Sequence, residues 1–341
     1  MLDKKLENIL NDSDDLAVLS YSRMSDFDRN GPIALDKRKE VENKGIKHGS
    51  LVDVLIYDLL HKTETFDEEF IIADIVAPTA TTLKLAKIIL DNYIVPLTDS
   101  EMLEICRDNR FWASSKDETV IEKFTTEFKD YIKIMMKANN KKIVTTEEYI
   151  LAKDAANTLL YHEYTHNLFF NDLENHYQVY FEFNKGRFKF RGYIDKLTID
   201  HDKKLVYIED IKTGEGKASK FMKSFLDYRY YLQEAVYCQS FNYIRKKFKI
   251  PKGYKLAPFK FIYLGKFEQT PIVWTVSEKW HNAALDGFIT NGGYHFRGFN
   301  ELLSEIEYHV QTGQFEHPRN VIENKGVLEL ESNFITVYDK S

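Results

Sequence analysis

Hydrophobic and polar positions alternate with period two through His176–Tyr193, where Val179, Phe181 and Phe183 stand against Tyr180 and Glu182. That alternation predicts a half-buried strand. A turn at Asn184-Lys185-Gly186 makes it antiparallel to the next run. Two further β-rich stretches then flank a polar turn, His201-Asp202, with Asp200 and Lys203 beside it, a hairpin signal. After Thr213-Gly214 the period becomes helical, predicting a helix from about 221 to 248, and Phe259–Leu264 reads as another strand. Upstream, Leu51, Val52, Leu55, Ile56, Leu59 and Leu60 form one apolar helical stripe, and Phe70–Val76 reads as a short strand. Thr81–Tyr93 and Glu118–Met136 keep the 3.6-residue period, and Thr145–Phe170 predicts one long helix. Ser20 or Ser22 caps a short helix that Gly31-Pro32 closes. Downstream, Ile272–Val276 reads as a strand, followed by helices around 278–288 and 300–310.

The hairpin has a consequence for side chains. An even-numbered turn pairs Asp200 with Lys203, or Ile199 with Lys204, and sets Asp195 opposite Ile208. Val206, Ile208, Asp210 and Lys212 then share one face with Asp195, which lies diagonal to Asp210. An odd turn would send Asp195 to the other face. Two carboxylates and a lysine on one patch suit a divalent cation: hard oxygen ligands select Mg²⁺, with Mn²⁺ able to substitute, over zinc. Such a cation acidifies water and neutralises charge on a phosphodiester, and Lys212 can orient water or stabilise developing charge. The plain alternative is a surface ion pair of Lys212 with Asp195 or Asp210. Gln233 and Tyr237, four apart on the following helix, point the same way.

Gly192-Tyr193-Ile194-Asp195, Asp210-Ile211-Lys212-Thr213-Gly214 and Gln233-x-x-x-Tyr237 together resemble the G-x-I-D, D-x-K-T and Q-x-x-x-Y series of the PD-(D/E)XK nucleases, in particular the RecB-like and RecE-like exonucleases. The resemblance runs from about Leu19 to Leu264. It implies a restriction-endonuclease-like α/β core, a short mixed β-sheet flanked by helices with helical additions. It implies Mg²⁺-dependent hydrolysis of DNA from linear duplex ends, serving recombination or DNA processing in a phage or its host. Asp195 and Asp210 would hold metal, Lys212 would position water, and Gln233 and Tyr237 would orient substrate or Lys212. The Gly45–Pro78 segment resembles the G-x-x-x-H helix of RecE-like exonucleases, whose histidine binds metal; counted from Gly49, that position here is Asp53, a further candidate ligand, with His48 nearby but out of spacing. The Ser20–Phe27 stretch resembles the segment opening RecB-type domains. On the strand before Asp195, Gln178 or Glu182 is an assisting candidate. Members of such families form rings and work with single-strand annealing partners, so a homo-oligomer and such a partner are expectations as well.

Composition adds limits. The chain has 341 residues, 43% apolar and 14% aromatic, the make-up of a folded globular protein. Its net charge of −6 leaves nucleic-acid contact to local patches. One such stretch, Arg245–Lys266, carries eight basic residues and no acidic one, with aromatics between them. Arg245, Lys246, Lys247, Lys249 and Lys252 are its candidate phosphate contacts; edge-strand lysines are the alternative. Two cysteines, Cys106 and Cys238, are too few for an iron–sulfur cluster or a Cys₄ zinc site. The acidic first fifteen residues predict no secretory leader, and no apolar run nears the ~20 residues of a membrane span, so a cytoplasmic location (the host's, for a phage protein) is expected.

His162-Glu163-Tyr164-Thr165-His166 matches H-E-x-x-H, which on one helix is a zinc-protease signature, with Glu174 and His176 nearby as third-ligand candidates. Packing is the alternative role. The remaining alternatives are an endonuclease on the same core and a DNA-binding module without activity. With no repeat or low-complexity linker, we expect one elaborated domain: a helical part over 1–145, a catalytic core over 146–266 and an extension over 267–341.

Overall fold

The structure, a computed structural model, describes residues 18–36, 44–75, 79–93, 95, 97–138 and 141–327. The expected polar lead-in at Met1–Asp15 and the end of the C-terminal extension lie outside the described residues. The chain forms two compact units, one from Met1–Asn43 and Glu163–Ser341, the other from Lys44–His162. Of the described residues, 18–36 fall in one unit with 163–327, and 146–162 fall with 44–145.

The first unit is a mixed α/β structure. Strand β1 (Val18–Leu19) leads into helix α1 (Tyr21–Asn30). Ser20 Oγ caps it by accepting the Arg23 amide at 3.3 Å, and Gly31, at φ 79°, ends it. That positive φ is the conformation glycine tolerates best. Strands β2 (Glu174–Lys185), β3 (Phe188–Asp200) and β4 (Leu205–Gly214) follow, then helices α2 (Phe221–Asp227), α3 (Tyr230–Gln239) and α4 (Phe241–Lys247). Strands β5 (Lys255–Leu256), β6 (Lys260–Gly265) and β7 (Ile272–Thr275), and helices α5 (Glu278–Asp286) and α6 (Phe299–Thr312), complete its principal elements. The sheet runs β1-β3-β4-β6-β7, with β2 on the other side of β3 and β5 beside β4. β1, β5 and β6 join it in parallel and the other pairings are antiparallel. This is the mixed sheet with flanking helices expected from the sequence.

One sheet face carries the core. Phe181, Phe190, Leu197, Ile208 and Phe261 pack with Leu232, Ala235 and Val236 of α3, all essentially inaccessible. At roughly 25 cal/mol per Å² of apolar surface, such side chains contribute the main stabilisation. The opposite face holds a polar network instead. Lys196 is buried in an ion pair with Glu209, which also takes Lys260 at 3.3 Å. Lys260, one of the basic residues of the 245–266 stretch, is therefore committed inside the fold.

The expected helix over 221–248 is three pieces. Arg229 adopts φ 61°, ψ 36° between α2 and α3. Its guanidinium bonds Asp28 and, at 2.7 Å, the Leu226 carbonyl. These contacts stabilise a left-handed residue that helical periodicity does not reveal.

The second unit contains helix Lys44–His61, a two-stranded parallel pair of Phe70–Ala73 with Lys142–Thr145, and helices Ala80–Asn92, Asp99–Asp108, Asp117–Lys123, Lys129–Ala138 and Thr146–Tyr161. A π-turn at Phe124–Phe128 interrupts the expected 118–136 helix. Among the described residues, no helix is long and apolar enough to cross a membrane.

Candidate active site

The site is built where the β3–β4 ladder ends. The ladder pairs Asp200 with Leu205 and continues to Lys196 with Glu209. Extended by one step, that register would set Asp195 across from Asp210 rather than diagonal to it. The turn is 201–204, where the sequence suggested 201–202 or 200–203. Asp200 Oδ1 accepts the Lys203 amide at 2.9 Å, and Lys204 takes φ 55°. Side-chain capture of a backbone amide favours such turns. Since this turn is also even, it leaves the expected face of Asp195, that of Val206, Ile208, Asp210 and Lys212, unchanged, and Asp195 acts on Lys212 together with Asp210. Beyond Lys196, Asp195 Oδ2 accepts the Ile211 amide at 2.8 Å.

Strand β2 changes phase at the same level. Its register sets Gln178 opposite Asp195, but the two strands do not pair at this position, and Gln178 takes φ 50°. On β3, Phe188, Phe190 and Ile194 are buried on one side of this point, and Leu197 and Ile199 on the other. The core-facing residues thus change from even to odd numbers at Asp195. A left-handed non-glycine costs on the order of 1 kcal/mol and concentrates at functional positions. Glu182, the other assisting candidate on β2, instead accepts the Tyr180 hydroxyl at 2.8 Å.

Gly192 has a steric reason. A Cβ there would stand 2.8 Å from Phe181 Cζ. That ring meets the Tyr237 ring edge-on at 5.1 Å between centroids.

Helix α3 covers the carboxylates. Gln233 and Tyr237 are buried on it, and Gln233 Nε2 donates to Asp210 Oδ1 at 2.6 Å. The Lys212 ammonium pairs with Asp210 Oδ2. That ammonium is the partner of the buried Oδ2, which takes no further hydrogen bond among the described residues. Lys212 Nζ also lies 5.1 Å from the centre of the Tyr230 ring. Burial works against the Lys212 charge, yet Asp210, then Asp195, outweigh it and hold its pKa well above the usual lysine value. Burial pushes the Tyr237 phenol strongly upward, and Asp210 and Asp195 add to the rise. Burial likewise moves Tyr230 up to about 12, against the pull of Lys212.

Sequence reasoning missed Tyr21. Burial, followed by Tyr230, raises the Tyr21 phenol, which also feels Lys212 and Asp210. Its hydroxyl donates to the Tyr228 carbonyl at 2.6 Å. Its position just after the Ser20 cap was the only signal, since nothing local marks Tyr21 as facing a strand that follows it by 190 residues.

Other candidates are placed differently. Asp53 is half-buried on helix Lys44–His61 of the second unit. In the basic stretch, Lys246, Lys249 and Lys252 are exposed. Arg245, half-buried, reaches the Pro251 carbonyl at 3.4 Å, and Lys247 donates to the Tyr180 carbonyl at 2.7 Å. Those two basic groups are thus partly committed to internal contacts. The H-E-x-x-H segment does not lie on one helix. Thr146–Tyr161 ends before His162, which is extended at φ −69°, ψ 142°, and a short helix restarts at His166. The i, i+4 face that a zinc protease requires is therefore absent. Glu174 is instead hydrogen-bonded to His176 at 2.6 Å and His201 at 2.8 Å.

No family model matches the chain, and no curated protein does. Among solved structures, the crystal structure of a "Putative exonuclease" from Eubacterium rectale is similar at TM-score 0.41 and 15% identity, over 91% of this chain and 83% of that one.

Proposed function

We propose that the chain is a Mg²⁺-dependent deoxyribonuclease of the exonuclease type, hydrolysing phosphodiester bonds at linear duplex ends. The observation that carries this reading is the convergence of two carboxylates and one ammonium beneath a polar helix face. Asp195 and Asp210 both act on Lys212 and on Tyr237, and the ion pair of Asp210 with Lys212 sets one ammonium against two carboxylates. The second carboxylate charge fits a cation, and an all-oxygen donor pair fits Mg²⁺ or Mn²⁺.

Asp195 and Asp210 would hold the ion; Asp53 is a further candidate on the strength of the resemblance alone. When bound, the ion supplies charge neutralisation at the phosphodiester and lowers the pKa of water. Lys212, kept protonated by its two aspartates, would set a positive charge beside the phosphate and orient the attacking water. Gln233 would hold the Asp210 carboxylate in place through Oδ1. Tyr237 and Tyr230, kept as neutral phenols, would border the substrate and Lys212. Lys246, Lys249 and Lys252 would supply phosphate contacts along the incoming duplex, with Arg245 and Lys247 contributing less because of their internal bonds. A role in phage-type recombination, with a homo-oligomer and an annealing partner, extends the same reading.

The test is incubation of the purified chain with linear and closed circular duplex DNA, with Mg²⁺ or with EDTA, beside Asp210→Asn. Nucleotide release from linear DNA alone, dependent on Mg²⁺ and lost in the variant, supports the reading. Cutting of closed circles would make the chain an endonuclease. Salt-sensitive DNA binding with no release by the unmodified protein would reduce it to a binding module. Activity surviving in Asp210→Asn would remove the site from the chemistry.

A further inference from the structure

The same two turns of α3 carry a second polar set. Gln233 and Tyr237 face the carboxylates. Glu234 and Cys238, one residue further along, are rotated by about 100° around the helix axis. They meet His281 of α5. Glu234 Oε1 accepts the Cys238 thiol at 3.2 Å and is hydrogen-bonded to His281 Nδ1 at 2.7 Å. One ligand atom from each of the three residues lies within 4.8 Å of the others, and no other such three-residue cluster occurs among the described residues.

Glu234 is 2% exposed, and its second oxygen, Oε2, is buried with no hydrogen-bond partner among the described residues. An unpartnered carboxylate oxygen is costly to bury, and the two hydrogen bonds to Oε1 leave it unsatisfied. A cation bound at this carboxylate would give it a partner. Thiolate, imidazole and carboxylate together form a borderline-soft donor set, which selects zinc over magnesium. Around a tetrahedral zinc such ligand atoms sit about 3.5 Å apart, so small displacements from the present spacing suffice. Cys238 and His281 are partly exposed, which gives the ion an entry path.

We propose that Glu234, Cys238 and His281 form a zinc site, separate from the aspartate pair and independent of whether the chain cuts DNA. Binding releases the Cys238 thiol proton to solvent, and the proton on His281 Nδ1 leaves or shifts to Nε2, so that thiolate and Nδ1 face the metal. The ion would tie α3 to α5 and so fix the helix that presents Gln233 and Tyr237. It would act as a structural clamp behind the candidate active site.

The experiment is a cobalt titration of the reduced, metal-free full chain, followed by optical spectroscopy. The expected result is a near-ultraviolet thiolate-to-cobalt absorption that saturates at equimolar metal. Zinc abolishes it and excess Mg²⁺ does not. Cys238→Ser removes the band, whereas Cys106→Ala and Asp210→Asn retain it. Absence of the band in the unmodified protein overturns the proposal without reference to any variant. So does its persistence in Cys238→Ser, or its loss in Cys106→Ala. Loss of the band in Asp210→Asn would show that the thiolate site is not separate from the aspartate pair and overturn it as well.

Discussion

The Asp195 carboxylate accepts the backbone amide of Ile211 at 2.8 Å. Ile211 is the residue between Asp210 and Lys212. Where the β3–β4 ladder stops, a side chain thus takes over from a backbone carbonyl. This bond fixes Asp195 against the strand that carries the other two charged groups. It also gives the carboxylate a structural duty that can be separated from any duty toward a metal.

Asp195→Asn separates the two. The asparagine carbonyl can still accept the Ile211 amide, so folding stability should change by less than about 1 kcal/mol. Mg²⁺-dependent nuclease activity should fall by at least ~100-fold, since an amide is a poor ligand for a hard cation. Asp195→Ala removes the acceptor too and should cost about 1–3 kcal/mol more. Urea denaturation beside a nucleotide-release assay measures both. Equal stability of the two variants would show that the Ile211 bond contributes nothing.

Asp210 and Lys212 form a pair in which Asp210 is 1% exposed at its side chain and Lys212 18%. Asp210→Ala leaves the ammonium without its principal counter-charge and should cost about 3 kcal/mol. Adding Lys212→Met to Asp210→Ala should return most of that stability, because the stranded charge is gone. Both variants should be inactive. A double variant no more stable than Asp210→Ala would mean that Asp210 stabilises the fold through Gln233 alone.

How far this site was legible in the sequence follows from which interactions are local. Side-chain alternation survives any even turn, so the shared face of Asp195, Asp210 and Lys212 could be read directly. The pairing partner could not, because it depends on Asp200 capturing the Lys203 amide and on Lys204 adopting a left-handed conformation. Gln233 and Tyr237 were legible as an i, i+4 pair because α3 is continuous between them. The break before them was not, since Arg229 is held by Asp28, 201 residues away in the chain. Periodicity also ran through the H-E-x-x-H segment, although the helix ends at Tyr161. Counting charges identified the basic stretch but could not see Lys247 bonded to Tyr180, or Lys260 turned toward Glu209.

Gly192→Ala tests whether close packing supports the site. The added Cβ would lie 2.8 Å from Phe181 Cζ, so the ring must move, and it packs edge-on against Tyr237. Overpacking of this kind costs about 1–3 kcal/mol. Activity should drop although no candidate catalytic group has been altered. Combining Gly192→Ala with Phe181→Leu should relieve the clash and restore stability in part. Thermal melting of the three variants decides it: a double variant whose losses simply add would exclude Phe181 as the obstacle.

Glu148, in the second unit, gives a pH-dependent test. Its Oε2 takes Lys47 Nζ at 2.6 Å and the Thr145 amide at 2.9 Å, while Thr145 Oγ1 accepts the Glu148 amide at 3.1 Å. This capping box starts helix Thr146–Tyr161 and the ion pair ties it to helix Lys44–His61. Burial works to raise the carboxyl, but Lys47 and then Thr145 outweigh it, and the net pKa lies below the usual value of 4.5. A carboxylate depressed on folding stabilises the folded state above its unfolded pKa, and that contribution is lost as pH falls through the folded value. Glu148→Gln keeps the cap geometry and removes the charge, at a cost of about 1 kcal/mol or less at neutral pH. Its deficit in melting temperature should hold from about pH 7 to about pH 5 and shrink as the pH falls further, because the native carboxylate is then protonated as well. A deficit that stays constant to about pH 3 would assign the effect to the cap and not to the Lys47 charge pair.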